Sequence, residues 1–133
     1  MALLLLYLLG GCSGGSGSDT VANADFGASA GAVNYAGPPP ASADVQSFKV
    51  ALWDELQPQN RCGSCHGTGG QSPQFVRSDD INLAYNIASG LVDFDIPANS
   101  RLVQKVGGGH NCWLASNLAC ADIVTGYVTA WVS

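Results

Sequence analysis

The stretch Cys62-Gly63-Ser64-Cys65-His66 decides how this chain is interpreted. Two cysteines separated by two residues and followed at once by a histidine form the C-x-x-C-H motif. In this spacing two thiols reach the two vinyl groups of one porphyrin, while the next imidazole reaches the iron from the same side. The motif predicts one covalent haem c, attached through Cys62 and Cys65 and ligated by His66.

Two other kinds of site also use a C-x-x-C pair. A zinc site needs a second ligand pair, and the later cysteines, Cys112 and Cys120, lack the paired spacing of zinc ligands. A thioredoxin-like redox pair opens a helix in a βαβ unit, and no alternating run of Val and Ile around the motif supplies the strands. Haem attachment is the leading interpretation, and both alternatives stay open.

Length and charge limit the partners of the chain. With 133 residues it has room for one domain, and its formal net charge is −5. The chain has five Lys and Arg residues, which are not clustered and cannot form the basic patch that nucleic acid binding requires. We therefore expect no nucleic acid partner, and the acidic balance favours redox partner proteins with basic surfaces.

The amino terminus is typical of an exported protein. Residues 1–11 form an apolar run ending in small residues, which predicts a signal peptide too short to span a bilayer, although no Lys or Arg precedes the run. The segment Leu9-Gly10-Gly11-Cys12 resembles the lipobox of bacterial lipoproteins, which are cut before a cysteine that carries lipid. The resemblance implies lipidation at Cys12, and a simply cleaved secretory peptide is the alternative.

Residues 12–41 are predicted to be a disordered tether. They are rich in Gly, Ser, Ala and Pro, so they cannot bury enough apolar surface to fold alone. With lipid on Cys12 the protein is anchored to a membrane and does not span it. By resemblance to other lipoproteins, Ser13 gives no inner-membrane retention signal, which implies a periplasmic or cell-surface location at the outer membrane. The folded domain is assigned to residues 42–133.

The domain has the apolar periodicity of helices. The first helix is predicted to begin at an N-cap at Ser42 and to end near Gln57, before Pro58. Ser78 is the expected N-cap of the second helix, and Gly126 is expected to permit a close helix crossing in the last. The further helices are predicted at residues 79–89, 100–106 and 120–132. The pattern predicts an all-α domain.

A helix, a C-x-x-C-H motif, loops, short helices and a terminal aromatic-bearing helix together resemble a class I c-type cytochrome. The resemblance implies that the first and last helices cross, which would put Phe48 or Leu52 near Tyr127 or Trp131.

A closer resemblance, over residues 33–133, is to a monohaem module of bacterial surface lipoproteins. It rests on three segments: Asn34-Tyr35-Ala36-Gly37-Pro38, residues 60–66 and residues 109–113. That module is often joined to a laminin-G-like or concanavalin-like domain, for which these residues leave no place. The resemblance therefore implies haem and location but no carbohydrate substrate.

The second axial ligand is predicted by elimination. Met1 is the single methionine and leaves with the signal peptide, so the usual ligand of a high-potential carrier is missing. His110 is the one other histidine, and glycines 107–109 free its backbone to reach the distal face. We expect bis-histidine ligation by His66 and His110 and a lower potential. Alternatively, His110 bonds a propionate or a loop carbonyl, with the iron five-coordinate or bound by Lys105 or water.

Three further side chains belong to the predicted site. Cys112 and Cys120 remain after haem attachment and lipidation, and in an exported protein two such thiols most simply form a disulfide. Free thiols awaiting metal are the alternative. Arg61 is the first candidate to pair a haem propionate because it adjoins Cys62, and Arg77 and Arg101 are further candidates.

These features favour an electron-transfer cytochrome and not an enzyme. A carrier needs no substrate pocket, because the protein holds the haem, excludes water and sets the potential by its ligands. Two other functions stay open. One is a haem-based sensor or peroxidase-like enzyme with an open distal site. The other is a haem-containing assembly module in a homo-oligomer or a larger surface complex.

Overall fold

Residues 35–133 are described by the structure, a computed structural model, and this part of the chain is helical with no strand. The prediction of an all-α domain is confirmed. The predicted signal peptide, the lipidation site at Cys12 and residues 12–34 of the tether lie outside the described residues. Within the described range, no helix is long and apolar enough to cross a membrane.

The first helix runs as one continuous segment with a π-helical middle. Its parts are α1 (Ala43–Phe48), a π-helical segment (Lys49–Trp53) and α2 (Asp54–Leu56). Ser42 caps it as predicted, because its hydroxyl accepts a hydrogen bond from the Val45 N–H. The helix ends two residues before Pro58, so the predicted bounds hold.

The other helices agree with the sequence in position but not in every cap. In the described residues they are α3 (Gly63–His66), α4 (Ile81–Ser89), a 3-10 turn (Pro97–Asn99), α5 (Arg101–Gly107) and α6 (Asn117–Val132). The prediction of Ser78 as the cap of α4 is wrong, because Asp80 accepts the N–H groups of Asn82 and Leu83. The last helix begins three residues earlier than predicted, behind the N-cap Ser116.

An aromatic cluster joins the first and last helices. Phe48 is fully buried, and its ring centroid lies 4.9 Å from that of Trp131 and 5.8 Å from that of Tyr85. Phe94 packs edge-on against Trp131 from the other side, at 5.3 Å. The expected contact between Phe48 and Trp131 is present.

The last residues assigned to the tether pack onto the domain. The Tyr35 hydroxyl accepts a hydrogen bond from the Ile81 N–H at 2.7 Å, and its ring meets Trp53 edge-on at 5.5 Å. The side chain of Asn82 accepts the N–H of Ala41 at 2.8 Å. The described segment before the first helix is therefore part of the folded domain.

Gly126 does not lie at a helix crossing. A Cβ placed on this exposed residue of α6 would meet no atom within 4 Å. The prediction that this glycine permits a close helix approach is therefore wrong.

Replacing the central aromatic residue tests the crossing of the two helices. We expect Phe48→Ala to lower the free energy of unfolding by about 3 to 5 kcal/mol, because it opens a cavity against Trp131 and Tyr85. Val50→Ala is the matched control from the same helix, since Val50 is 58% exposed and should change stability by about 0.5 kcal/mol or less. Urea unfolding followed by circular dichroism measures both, and similar losses would contradict this packing.

Candidate functional site

A cavity of about 490 Å³ lies between the C-x-x-C-H motif and α5. This volume is within the range of pockets that hold cofactors and other small molecules, roughly 300 to 1,000 Å³. Its apolar walls include Phe75, Leu91, Leu102 and Val106. The same cavity is lined by three of the predicted site residues, Cys62, His66 and His110.

His66 is oriented by two hydrogen bonds. Its backbone N–H donates to the Cys62 carbonyl at 2.8 Å, which places the imidazole at the end of the single turn α3. Its Nδ1 lies 2.9 Å from the carbonyl oxygen of Pro73. Because a carbonyl oxygen can only accept, Nδ1 is assigned the proton and Nε2 is left as the metal-binding nitrogen. A metal-ligating histidine is commonly oriented in this way.

His110 is positioned by the end of α5. The Gly109 N–H donates to the Val106 carbonyl at 2.9 Å, and the His110 N–H donates to the Lys105 carbonyl at 3.0 Å. These two bonds form a Schellman motif, in which Gly109 takes a φ of +91° that favours glycine. The glycine-rich segment is thus a defined helix end, and it fixes where the backbone of His110 lies.

The two imidazoles face one region of the cavity. The ring centroids of His66 and His110 lie 5.9 Å apart, with the ring planes inclined by 51°. A bond from a metal ion to an imidazole nitrogen is about 2 Å long, so two imidazoles on opposite sides of one ion have centroids roughly 6 Å apart. Within residues 35–133, no group of three or more His, Cys, Asp and Glu side chains could hold a metal ion. Two imidazoles at this separation could hold a metal-containing cofactor between them.

The two cysteines of the motif are in different states. Cys62 is buried, and this burial raises the pKa of its thiol to about 12, an effect that the nearby charge of Arg61 opposes only in part. Cys65 is disulfide-bonded and does not line the cavity. The structure thus brings Cys62 to the two histidines.

The positive charge at the cavity comes mainly from α5. Arg101 and Lys105 line the cavity, whereas Arg61 does not. The guanidinium carbon of Arg61 lies 4.1 Å from the centroid of the Trp113 ring, so this side chain stacks on Trp113. Arg77 is held in an ion pair elsewhere.

The predicted disulfide is present between Cys112 and Cys120, with their Cα atoms 5.7 Å apart. It ties the loop that carries His110 to the first turn of α6. Closing so short a loop is expected to stabilise the fold by about 2 to 3 kcal/mol.

Sequence reasoning missed the residues that orient the two histidines. Pro73 accepts from the His66 ring, and the Phe75 ring lies 5.3 Å from that ring between centroids. Every residue carries a backbone carbonyl, so no sequence pattern distinguishes the one at Pro73. Asn111 has an unusual backbone conformation, with a φ of +52°, and the preceding glycines are a weak sequence signal for it.

Comparisons of the chain with protein-family models, with curated proteins and with solved structures return no match. The assignment of this site therefore depends on its own residues and geometry. The resemblances drawn from the sequence stay predictions.

Two glycine substitutions test the helix end that positions His110. Gly109→Ala should lower the free energy of unfolding by about 1 to 2 kcal/mol, because φ is positive there and the new Cβ would lie 3.1 Å from the Asn117 side chain. Gly126→Ala is the control and should raise it by about 0.5 to 1 kcal/mol, because the site is an open helix interior. Chemical denaturation measures both, and changes of the same sign would be inconsistent with the structure.

Thiol reactivity tests the burial of Cys62. In the folded haem-free protein at pH 8, iodoacetamide should modify Cys62 at least about tenfold more slowly than in urea, because the buried thiol stays protonated. Timed alkylation and peptide mass spectrometry under non-reducing conditions give both rates. Cys112 and Cys120 serve as internal controls that should stay unmodified. Equal rates for Cys62 in the two states would show that it is exposed.

Proposed function

We propose that this chain is an exported monohaem c-type cytochrome that transfers electrons. Cys62 and Cys65 would hold one haem c as thioethers, and His66 and His110 would be its axial ligands. The observation that carries the proposal is the cavity that Cys62 lines together with both imidazoles, whose ring centroids lie 5.9 Å apart.

The chemistry of the cavity fits this cofactor. Apolar side chains from three segments of the chain form walls suited to a porphyrin face, and they exclude water from it. The propionates of haem are anionic, and Arg101 and Lys105 supply positive charge at the same cavity. When bound, haem supplies reversible one-electron transfer at its iron.

Each thioether requires a cysteine in the thiol form. Cys62 meets this condition, because it is a free thiol whose raised pKa keeps it protonated. Cys65 would have to be in the same form when haem attaches. We therefore expect attachment to depend on reducing conditions at the time of haem loading.

The ligands determine the kind of carrier. The hydrogen bond from His66 Nδ1 to the Pro73 carbonyl fixes the ring and raises the basicity of Nε2. Two imidazoles lack the potential-raising effect of a methionine ligand, so this carrier should have a lower potential than one with a His–Met pair. The position of His110 disfavours a sensor or a peroxidase-like enzyme, which would leave the distal side open.

The wider architecture and location are also proposals. The packing of Phe48 against Trp131 supports a class I cytochrome c-like arrangement of the first and last helices. Export, a lipid on Cys12 and attachment to the outer membrane are supported by residues 1–13 of the sequence. The net charge of −5 favours a redox partner with a basic surface.

Removing the distal imidazole tests the ligand set. On protein produced with haem-attachment machinery, the wild type should show a low-spin, six-coordinate spectrum that stays unchanged at carbon monoxide concentrations that saturate the His110→Ala variant. His110→Ala should give a high-spin spectrum and bind carbon monoxide, because one axial position is vacated.

Lys105→Ala is the matched control, since Lys105 lines the same cavity and is the alternative nitrogen ligand. It should keep the spectrum of the wild type. If His110→Ala leaves the spectrum unchanged, or if Lys105→Ala converts it, the assignment of His110 is wrong.

A further inference from the structure

A contact between the motif and the distal loop is not explained by haem attachment itself. The loop 109–113 carries His110 and lies far in sequence from the C-x-x-C-H motif. Within residues 35–133, one hydrogen bond joins this loop to the segment before the motif: Asn111 Nδ2 donates to the Arg61 backbone carbonyl at 2.6 Å. Arg61 directly precedes Cys62, and Asn111 directly follows His110.

The conformation of Asn111 is specialised for this bond. Its φ of +52° lies in the left-handed region, which costs most side chains energy and which asparagine tolerates better than most. The backbone of Asn111 therefore turns the chain after His110, and its side chain bonds to the segment that carries Cys62.

A second contact joins the same two segments through side chains. The Arg61 guanidinium stacks on the Trp113 ring at 4.1 Å, within the range of a cation–π interaction. Its Nε and Nη1 are buried and have no hydrogen-bond partner. Buried unpaired N–H groups are costly, and the stacking on Trp113 offsets part of that cost.

We propose that Arg61, Asn111 and Trp113 form a clasp that positions His110 against the haem, and this inference rests on the proposed function. The other anchors of the loop are the helix end at Gly109 and the disulfide at Cys112, which tie it to α5 and α6. Neither anchor reaches the motif. The clasp therefore sets the distance between the two axial ligands, and its three members are positioning residues.

Loosening the clasp should let the distal ligand leave the iron more often. Carbon monoxide can bind the iron only when His110 has dissociated from it, so the apparent affinity for carbon monoxide reports the population of this dissociated state. Loss of one hydrogen bond or of the stacking should raise this affinity by about tenfold. A role in folding alone would change stability and leave this affinity unaltered.

The test uses the haem-loaded full chain and two variants. Asn111→Gly removes the amide and keeps a residue suited to positive φ, so it isolates the hydrogen bond. Trp113→Leu removes the aromatic face under Arg61. Carbon monoxide titration of the reduced protein, normalised to haem content, should show about tenfold tighter binding in both variants than in the wild type. Unfolding midpoints are measured on the same samples.

Val128→Ala is the matched control for general destabilisation. Val128 is fully buried in α6, outside the loop 109–113 and the motif, so its truncation should lower stability and leave carbon monoxide affinity unchanged. If Asn111→Gly or Trp113→Leu fails to fold, Trp113→Phe is a milder variant. It should also raise the carbon monoxide affinity, but by less.

The possible results separate the two proposals. If the clasp variants bind carbon monoxide as weakly as the wild type while His110→Ala binds it tightly, the clasp is overturned and the ligand set stands. The clasp is also overturned if Val128→Ala raises the affinity as much as they do. A wild type that takes up no covalent haem, or a His110→Ala variant without effect, would instead refute the proposed function.

Discussion

The constraint on which this structure depends is the separation of two imidazoles that come from distant parts of the chain. The rings of His66 and His110 lie 5.9 Å apart between centroids and line one cavity. Neither lies in a long helix. His66 ends a single helical turn, and its ring bonds to the Pro73 carbonyl. His110 is the last residue of a Schellman motif, and the disulfide of Cys112 ties its loop to α6.

The long helices supply the rigidity that these short segments lack. α6 is buried along the face that carries Cys120, Val124, Val128 and Trp131, and α5 packs against it through Leu102, Val103 and Val106. A loop anchored at both ends to two packed helices can hold a side chain with little freedom. The α5 wall of the cavity thus depends on the same core that joins the first and last helices through Phe48.

The sequence was most informative where a feature is local and chemically demanding. The spacing of Cys62, Cys65 and His66 predicts a cofactor without any tertiary information, and the apolar period before Pro58 places the first helix correctly. Because Met1, the single methionine, is expected to leave with the signal peptide, His110 was predicted as the second ligand, and the structure places it at the cavity. Each of these inferences depends on residue types within one segment or on a count over the whole chain.

Tertiary contacts account for the errors. Ser78 and Asp80, two positions apart, are both good N-cap residues, and only the path of the chain decides which side chain reaches the helix. Gly126 suggested close packing, but its face of α6 is exposed. The stacking of Arg61 on Trp113 was not predicted either, because no local pattern reveals that these two residues are close in space.

Intact mass spectrometry of protein produced with haem-attachment machinery under reducing conditions tests the central claim most directly. The account predicts a mass increase equal to one haem that survives denaturation in acid and organic solvent, with Cys62 and Cys65 both protected from alkylation. An unmodified chain, or a haem that separates from the denatured protein, would contradict it.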